Sequence, residues 1–228
     1  MPDALLLDWE DSIVETSTMR RVALQRALHD EGLVLDSDDC ARCCDGASVH
    51  ASMQRALATL GVHDLVLADL LAIRASRAFA ERLGKGFLLR TGAREFIGNV
   101  QVTSRLAIVT LASRSETEFI LRLAGFDGTV STIVSADDAL DPPPMAAPFA
   151  TALAQLSRRR EARAERSIAI STPAEMIRSA RAAGLRSIAL GAPAHVALEA
   201  HGAVDTLDGL SVAALSRVAG ISAAEHTA

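Results

Sequence analysis

The sequence has one lysine, no tyrosine and few aromatic residues of any kind. Of its 23 lysines and arginines only Lys85 is a lysine, so any chemistry that requires an ammonium group must find it there. Aromatics make up 3% of the 228 residues, yet 50% are hydrophobic and 22% charged. A chain this apolar buries enough surface to offset its ordering entropy, which excludes a disordered polypeptide. No run approaches the roughly 18 uninterrupted apolar residues of a membrane helix, so a soluble protein with no membrane partner is expected. A basic tail is missing as well. The 28 acids outnumber the cations to give a net charge of −5, which argues against binding nucleic acid by neutralising its phosphates. The densest basic run, Arg158-Arg159-Arg160, is followed by Glu161 and Glu165 and reads as a solvated helix end. The amino terminus has no basic segment of the signal-peptide type, so a cytoplasmic protein is expected.

Cysteine is equally scarce. Cys40, Cys43 and Cys44 follow the helix-start signal Ser37-Asp38-Asp39, and spacings of three and four place their sulfurs on one helical face. No second His or Cys stands at finger spacing from His50, so core packing is expected rather than a zinc or redox site.

The apolar pattern divides the chain. Ala4-Leu5-Leu6-Leu7 is a buried-strand pattern whose carboxyl end presents Asp8. From Thr16 to about Leu89 the periodicity is helical, with faces marked by Val22, Leu24, Ala27 and Leu28, by Met53, Ala56, Leu57 and Leu60, and by Leu65 to Ile73. Beyond Thr91-Gly92, strands are expected at 106–110, 132–134, 167–170 and 187–190. Helices fall between them at 116–124, from 148 and at 173–183. Repeated strand, helix, strand units imply an α/β fold, a Rossmann-like parallel sheet with helices on both faces and ligands at the carboxyl ends of the strands. Asp8, Thr110 and Ser171-Thr172 stand at such ends.

Leu5 to Thr16, reading LLLDWEDSIVET, resembles the first motif of the haloacid dehalogenase (HAD) superfamily, and the helical block after it resembles the C1 cap of the phosphoglycolate phosphatase and β-phosphoglucomutase branch. Further likenesses follow in order: TGAREF to the return from cap to core, LAIVTLASR to the second motif, IVSADD to the strand before the third, and PAEMIRSARAAGL to the helix after the fourth. The resemblance implies an HAD-like core over 1–16 and 91–228 and a helical cap over 17–90. It implies a phosphatase for small phosphorylated metabolites, with Asp8 as the nucleophile that forms an aspartyl phosphate and Glu10 as acid and base. Phosphate would be bound by Thr110, Leu111 and Ser113. Magnesium would be held by Asp8, Glu10 and, weakly if at all, Thr172. Gly46 and Ser48 would form the substrate loop of the cap.

Several positions depart from that pattern. Glu10 stands where the family has its second Asp, and Asp11 where it has a glycine. The lysine of the third motif is replaced by Asp141 or Pro143, and the acid of the fourth by Ser171 or Thr172. Arg114, Arg158, Arg178 and Lys85 are the candidate replacements for the missing cation, and Glu175, one turn into the next helix, for the missing acid. Loss of both groups implies impaired turnover. The alternative reading is a catalytically inactive protein of the same fold acting as a binding or interaction module.

Overall fold

The computed structural model describes residues 1–44, 48–138, 147–158 and 160–221. In chain order the first elements are β1 (Ala4–Asp8), β2 (Val14–Glu15), α1 (Ser17–His29), α2 (Ser37–Cys44), α3 (Val49–Thr59), α4 (Leu65–Leu83) and β3 (Leu88–Leu89). They are followed by α5 (Ala93–Thr103), β4 (Arg105–Val109), α6 (Arg114–Ala124), β5 (Thr132–Val134), α7 (Ala147–Ser157) and β6 (Ile168–Ser171). The chain continues with α8 (Ala174–Ala182), β7 (Arg186–Leu190), α9 (Ala194–Ala197), β8 (Gly202–Val204) and α10 (Val212–Val218).

Six strands form one parallel sheet in the order β5-β4-β1-β6-β7-β8. Strand β1 is central and wholly buried, as an unbroken apolar run requires of a strand covered on both faces. Its side chains alternate. Leu5, Leu7 and Trp9 join Ile108, Ile170 and Ile188 on one side, while Ala4 and Leu6 meet Val109, Ala169, Phe149 and Met176 on the other. This alternation delivers Asp8 to the side of the sheet that carries α7 and α8. Trp9 is fully buried, edge-on to Phe126 at 6.3 Å between ring centroids, and among the described residues its Nε1 has no hydrogen-bond partner.

The helical segment leaves and rejoins the sheet through β2 and β3, which pair antiparallel with Val14 opposite Leu89 and Glu15 opposite Leu88. The block read as purely helical therefore ends in a strand, one of only two residues and too short to show alternation. Within the segment α1 packs on α4, α3 on α4 and α2 on α3. Asp36 starts α2 by accepting hydrogen bonds from the amides of Asp38 and Asp39 at 2.9 and 2.8 Å. All three cysteines lie buried in the same apolar cluster as Met53 and Leu57, and burial pushes the Cys44 thiol up to about 12, the behaviour of an inert packing residue.

Gly92 closes the return to the sheet. It has φ +80° at the start of α5, and a Cβ there would lie 2.2 Å from the Asp208 amide nitrogen. Among the described residues no helix is long and apolar enough to cross a membrane.

Candidate active site

Strand β1 ends at Asp8, and the chain then makes a tight turn in which Asp11 has φ +57°, the left-handed region that favours glycine. The turn is held by the Asp11 amide donating to the Val14 carbonyl at 2.8 Å, by Arg90 Nε donating to the Asp11 carbonyl at 2.8 Å, and by Ser17 donating to the Asp11 carboxylate. Asp8 is only 4% exposed and accepts a hydrogen bond from Ser12 Oγ at 3.2 Å. Burial pushes its carboxyl well above the usual carboxylate range; Ser12 opposes the shift, and Glu10, Asp11 and Glu175 add to it. These four acids, with Leu111, Pro173 and Met176, line a cavity of about 20 Å³, room for a single water.

Glu10 is also buried, and it has a cation. The Arg20 guanidinium pairs with Glu10 Oε1 and reaches Glu116 Oε1 at 3.3 Å, while its Cζ lies 4.7 Å over the Phe79 ring. Burial raises the Glu10 carboxyl, against the opposing charge of Arg20. Arg20 is 1% exposed. It was missed by sequence reasoning, although it shares a helical face with Ala23, Leu24 and Ala27, an apolar stripe on which an arginine needs a buried partner.

The other expected residues are placed as follows. Thr110 is buried just past the end of β4 and its hydroxyl accepts from the Ala112 amide at 3.1 Å. Leu111 lines the cavity. Ser113 is the N-cap of α6 in a reciprocal capping box with Glu116. Thr172 donates to the Leu190 carbonyl at 2.9 Å, and its amide donates to Ser12 Oγ at 2.9 Å. Its hydroxyl thus joins the turn after β1 to the end of β7, and Thr172 is not among the residues that line the cavity. Ser48 caps α3 by accepting from the Ala51 amide, while Gly46 lies outside the described residues, as do Asp141 and Pro143.

None of the four candidate replacements for the lysine stands at Asp8. Arg114 is paired with Asp138 at 2.8 Å, Arg178 with Glu199 at 3.0 Å, and Arg158 is exposed. Lys85 is exposed in a groove with Phe87, Arg94 and Leu123. Glu175, by contrast, does reach the cavity.

Magnesium asks for several hard oxygen ligands in octahedral array. Among the described residues no three His, Cys, Asp or Glu side chains converge as metal ligands. The Glu10 carboxylate is held by Arg20 and the Thr172 hydroxyl by a carbonyl, so the described donor set does not fit the ion.

A parallel sheet with a helical insert after its first strand, and an acid-x-acid pair at that strand's carboxyl end, defines the class. A sequence profile of the haloacid dehalogenase-like hydrolases matches residues 5–190. The chain belongs to that family. No curated protein matches the sequence. Among solved structures it is similar to β-phosphoglucomutase (pgmB) from Clostridium difficile, with a TM-score of 0.82 and 15% identity over 96% of this chain and 98% of that one. It is also similar to CbbY from Rhodobacter sphaeroides in complex with phosphate, with a TM-score of 0.77 and 22% identity over 95% and 100%. A third is the putative HAD-hydrolase YfnB from Bacillus subtilis bound to magnesium, with a TM-score of 0.70 and 20% identity over 96% and 99%. These likenesses show the fold.

Proposed function

We propose that this chain carries a phosphatase-type site for small phosphorylated metabolites in which Asp8 holds the nucleophile's place and Glu10 that of the acid and base, and that turnover there is impaired. The division that goes with it is a core of 1–16 and 91–228 beneath a cap of 17–90, with β2 and β3 as the two crossings between them. The likeness to CbbY solved with phosphate supports the ligand class.

One observation supports the impairment: among the described residues, the charged groups that act most strongly on the Asp8 carboxyl are Glu10, Asp11 and Glu175, all acids. An attacking carboxylate must be ionised, and a phosphate dianion brought beside four acids needs cations to compensate. Arg20 supplies one, but it is committed to Glu10 and Glu116. Burial raises the Glu10 carboxyl, and the pairing with Arg20 opposes that rise, in the direction that disfavours the proton an acid must give to a leaving oxygen.

The test is phosphate release from a panel of sugar phosphates and phosphoglycolate with millimolar magnesium. Release close to the buffer rate, and no lower in Asp8→Asn, is expected. Vigorous release that Asp8→Asn abolishes would overturn the impairment while leaving Asp8 in its assigned role.

A further inference from the structure

Helix α4 stops at Leu83 and α6 at Ala124, and both ends line a surface groove of about 440 Å³, inside the roughly 300–1,000 Å³ range of small-molecule sites. The floor is apolar. Phe87 and Leu89 pack from it onto the core cluster, whereas Leu88 and Leu123 stand on it 67% and 44% exposed. A lone exposed leucine is ordinary on a protein surface; two over an apolar floor leave a continuous hydrocarbon patch in water. No residue of the groove lines the cavity at Asp8.

The same groove carries two cations and no acid: Lys85, between Gly84 and Gly86, and Arg94 in the first turn of α5. Among the described residues neither side chain has a carboxylate or carbonyl partner. The Arg94 guanidinium rests on the Phe126 ring, its Cζ 5.4 Å from the centroid. Stacking uses the flat face of the group and leaves its in-plane N–H donors unspent. Other clefts differ, since their walls mix both signs: Asp11 with Arg21 and Arg42 in one of about 360 Å³, and Asp30 and Glu81 with arginines in one of about 200 Å³.

The geometry points to a binding site for a small amphiphile, with its aliphatic body laid on Leu88 and Leu123 and a carboxylate head taken by Lys85 and Arg94. Apolar surface supplies the affinity and the two cations supply the sign. The helix ends select the head group. Their unpaired carbonyls carry partial negative charge, which penalises a phosphate dianion more than a carboxylate. Those carbonyls by themselves account for cations nearby, but not for leucines held open to water beside them. The site is independent of whether Asp8 turns a substrate over.

The test is titration of the isotope-labelled full chain with octanoate, read by amide chemical shifts and calorimetry, beside 1-octanol, octylammonium and octyl phosphate. Octanoate should shift the amides of Gly84, Gly86 and Gly125 in a saturable way and leave that of Leu6 in the sheet unmoved. Lys85→Gln and Arg94→Gln should each weaken octanoate at least about threefold, the scale of an exposed ion pair, without changing the affinity for 1-octanol. Leu123→Ser should weaken octanoate and 1-octanol alike, and Asp8→Asn should change neither. Should Arg94→Gln fail to fold, the exposed Lys85→Gln decides the charge dependence alone. Octylammonium binding as tightly as octanoate would overturn the site, as would groove amides that do not saturate at millimolar octanoate. Octyl phosphate binding more than about tenfold tighter than octanoate would overturn the carboxylate head. Self-association of the chain that Leu123→Ser abolishes would overturn the assignment too, because the leucines would then be a contact between copies.

Discussion

The Asp8 carboxyl is pushed towards its protonated form for a reason visible in its neighbours: it is almost wholly buried and faces three other acids, with one hydroxyl hydrogen bond in partial compensation. Its folded carboxyl titrates above the ordinary value of 3.8, so the folded state binds more protons than the unfolded chain. The resulting penalty is absent below the ordinary carboxylate range and grows as pH rises from there towards the folded value. Asp8→Asn keeps an oxygen for Ser12 and removes the ionisable group. It should raise the melting temperature at pH 8 and leave it almost unchanged at pH 4, at about 2–4 °C per kcal/mol for a chain of this size. Thermal melts at the two pH values decide it, and a loss of stability at pH 8 would mean that the carboxyl is ionised and compensated. The family resemblance, more than the residues by themselves, pointed to the abnormal turn, since Asp11 stands where the family has a glycine, and its φ is +57°. It did not reveal what Arg20 does, because its partners are 10 and 96 residues away, and no periodicity links a helical arginine to a carboxylate in another element.

Elements were legible in proportion to their length and burial. The five-residue β1, β4 and β7 are nearly continuous apolar runs, the signature of strands covered on both faces. Strands β2 and β3 hold two residues each, too few for alternation to register, and the three of β8, Gly-Ala-Val, include one β-branched side chain where the equally short β5, Thr-Ile-Val, is β-branched throughout. Helix ends were legible where the chemistry is local. Gly125, in the left-handed conformation, closes α6. Gly92 has the same handedness but a stricter reason for being glycine, since the backbone at Leu207 and Asp208 fills the space of a side chain. Gly92→Ala combines a strained φ with a clash against backbone, and should cost at least about 2 kcal/mol, seen as a lower denaturant midpoint with an unchanged slope. A midpoint within error of wild type would show that the 207–208 segment yields easily.

Across the whole molecule one apolar cluster runs from the sheet, through Trp9, Ile13 and Val14, into the helices of the insert as far as Phe79 and Leu83. A shared core couples the two parts energetically, so heating should give a single calorimetric transition whose van't Hoff and calorimetric enthalpies agree. Two resolved transitions would show that the insert melts independently of the sheet. Topology followed from the alternation of strands and helices, but the closing contacts did not. The Ser12–Thr172 bond spans 160 positions, and only folding brings such pairs together. The position of Trp9 has a practical consequence. The chain has one tryptophan and no tyrosine, and although Trp9 follows Asp8 in the chain its indole is buried on the other side of the sheet, edge-on to Phe126. Ultraviolet-excited emission from this molecule therefore originates at a single point in the apolar cluster that the sheet shares with the insert, and it should register disturbance of that cluster without an attached dye.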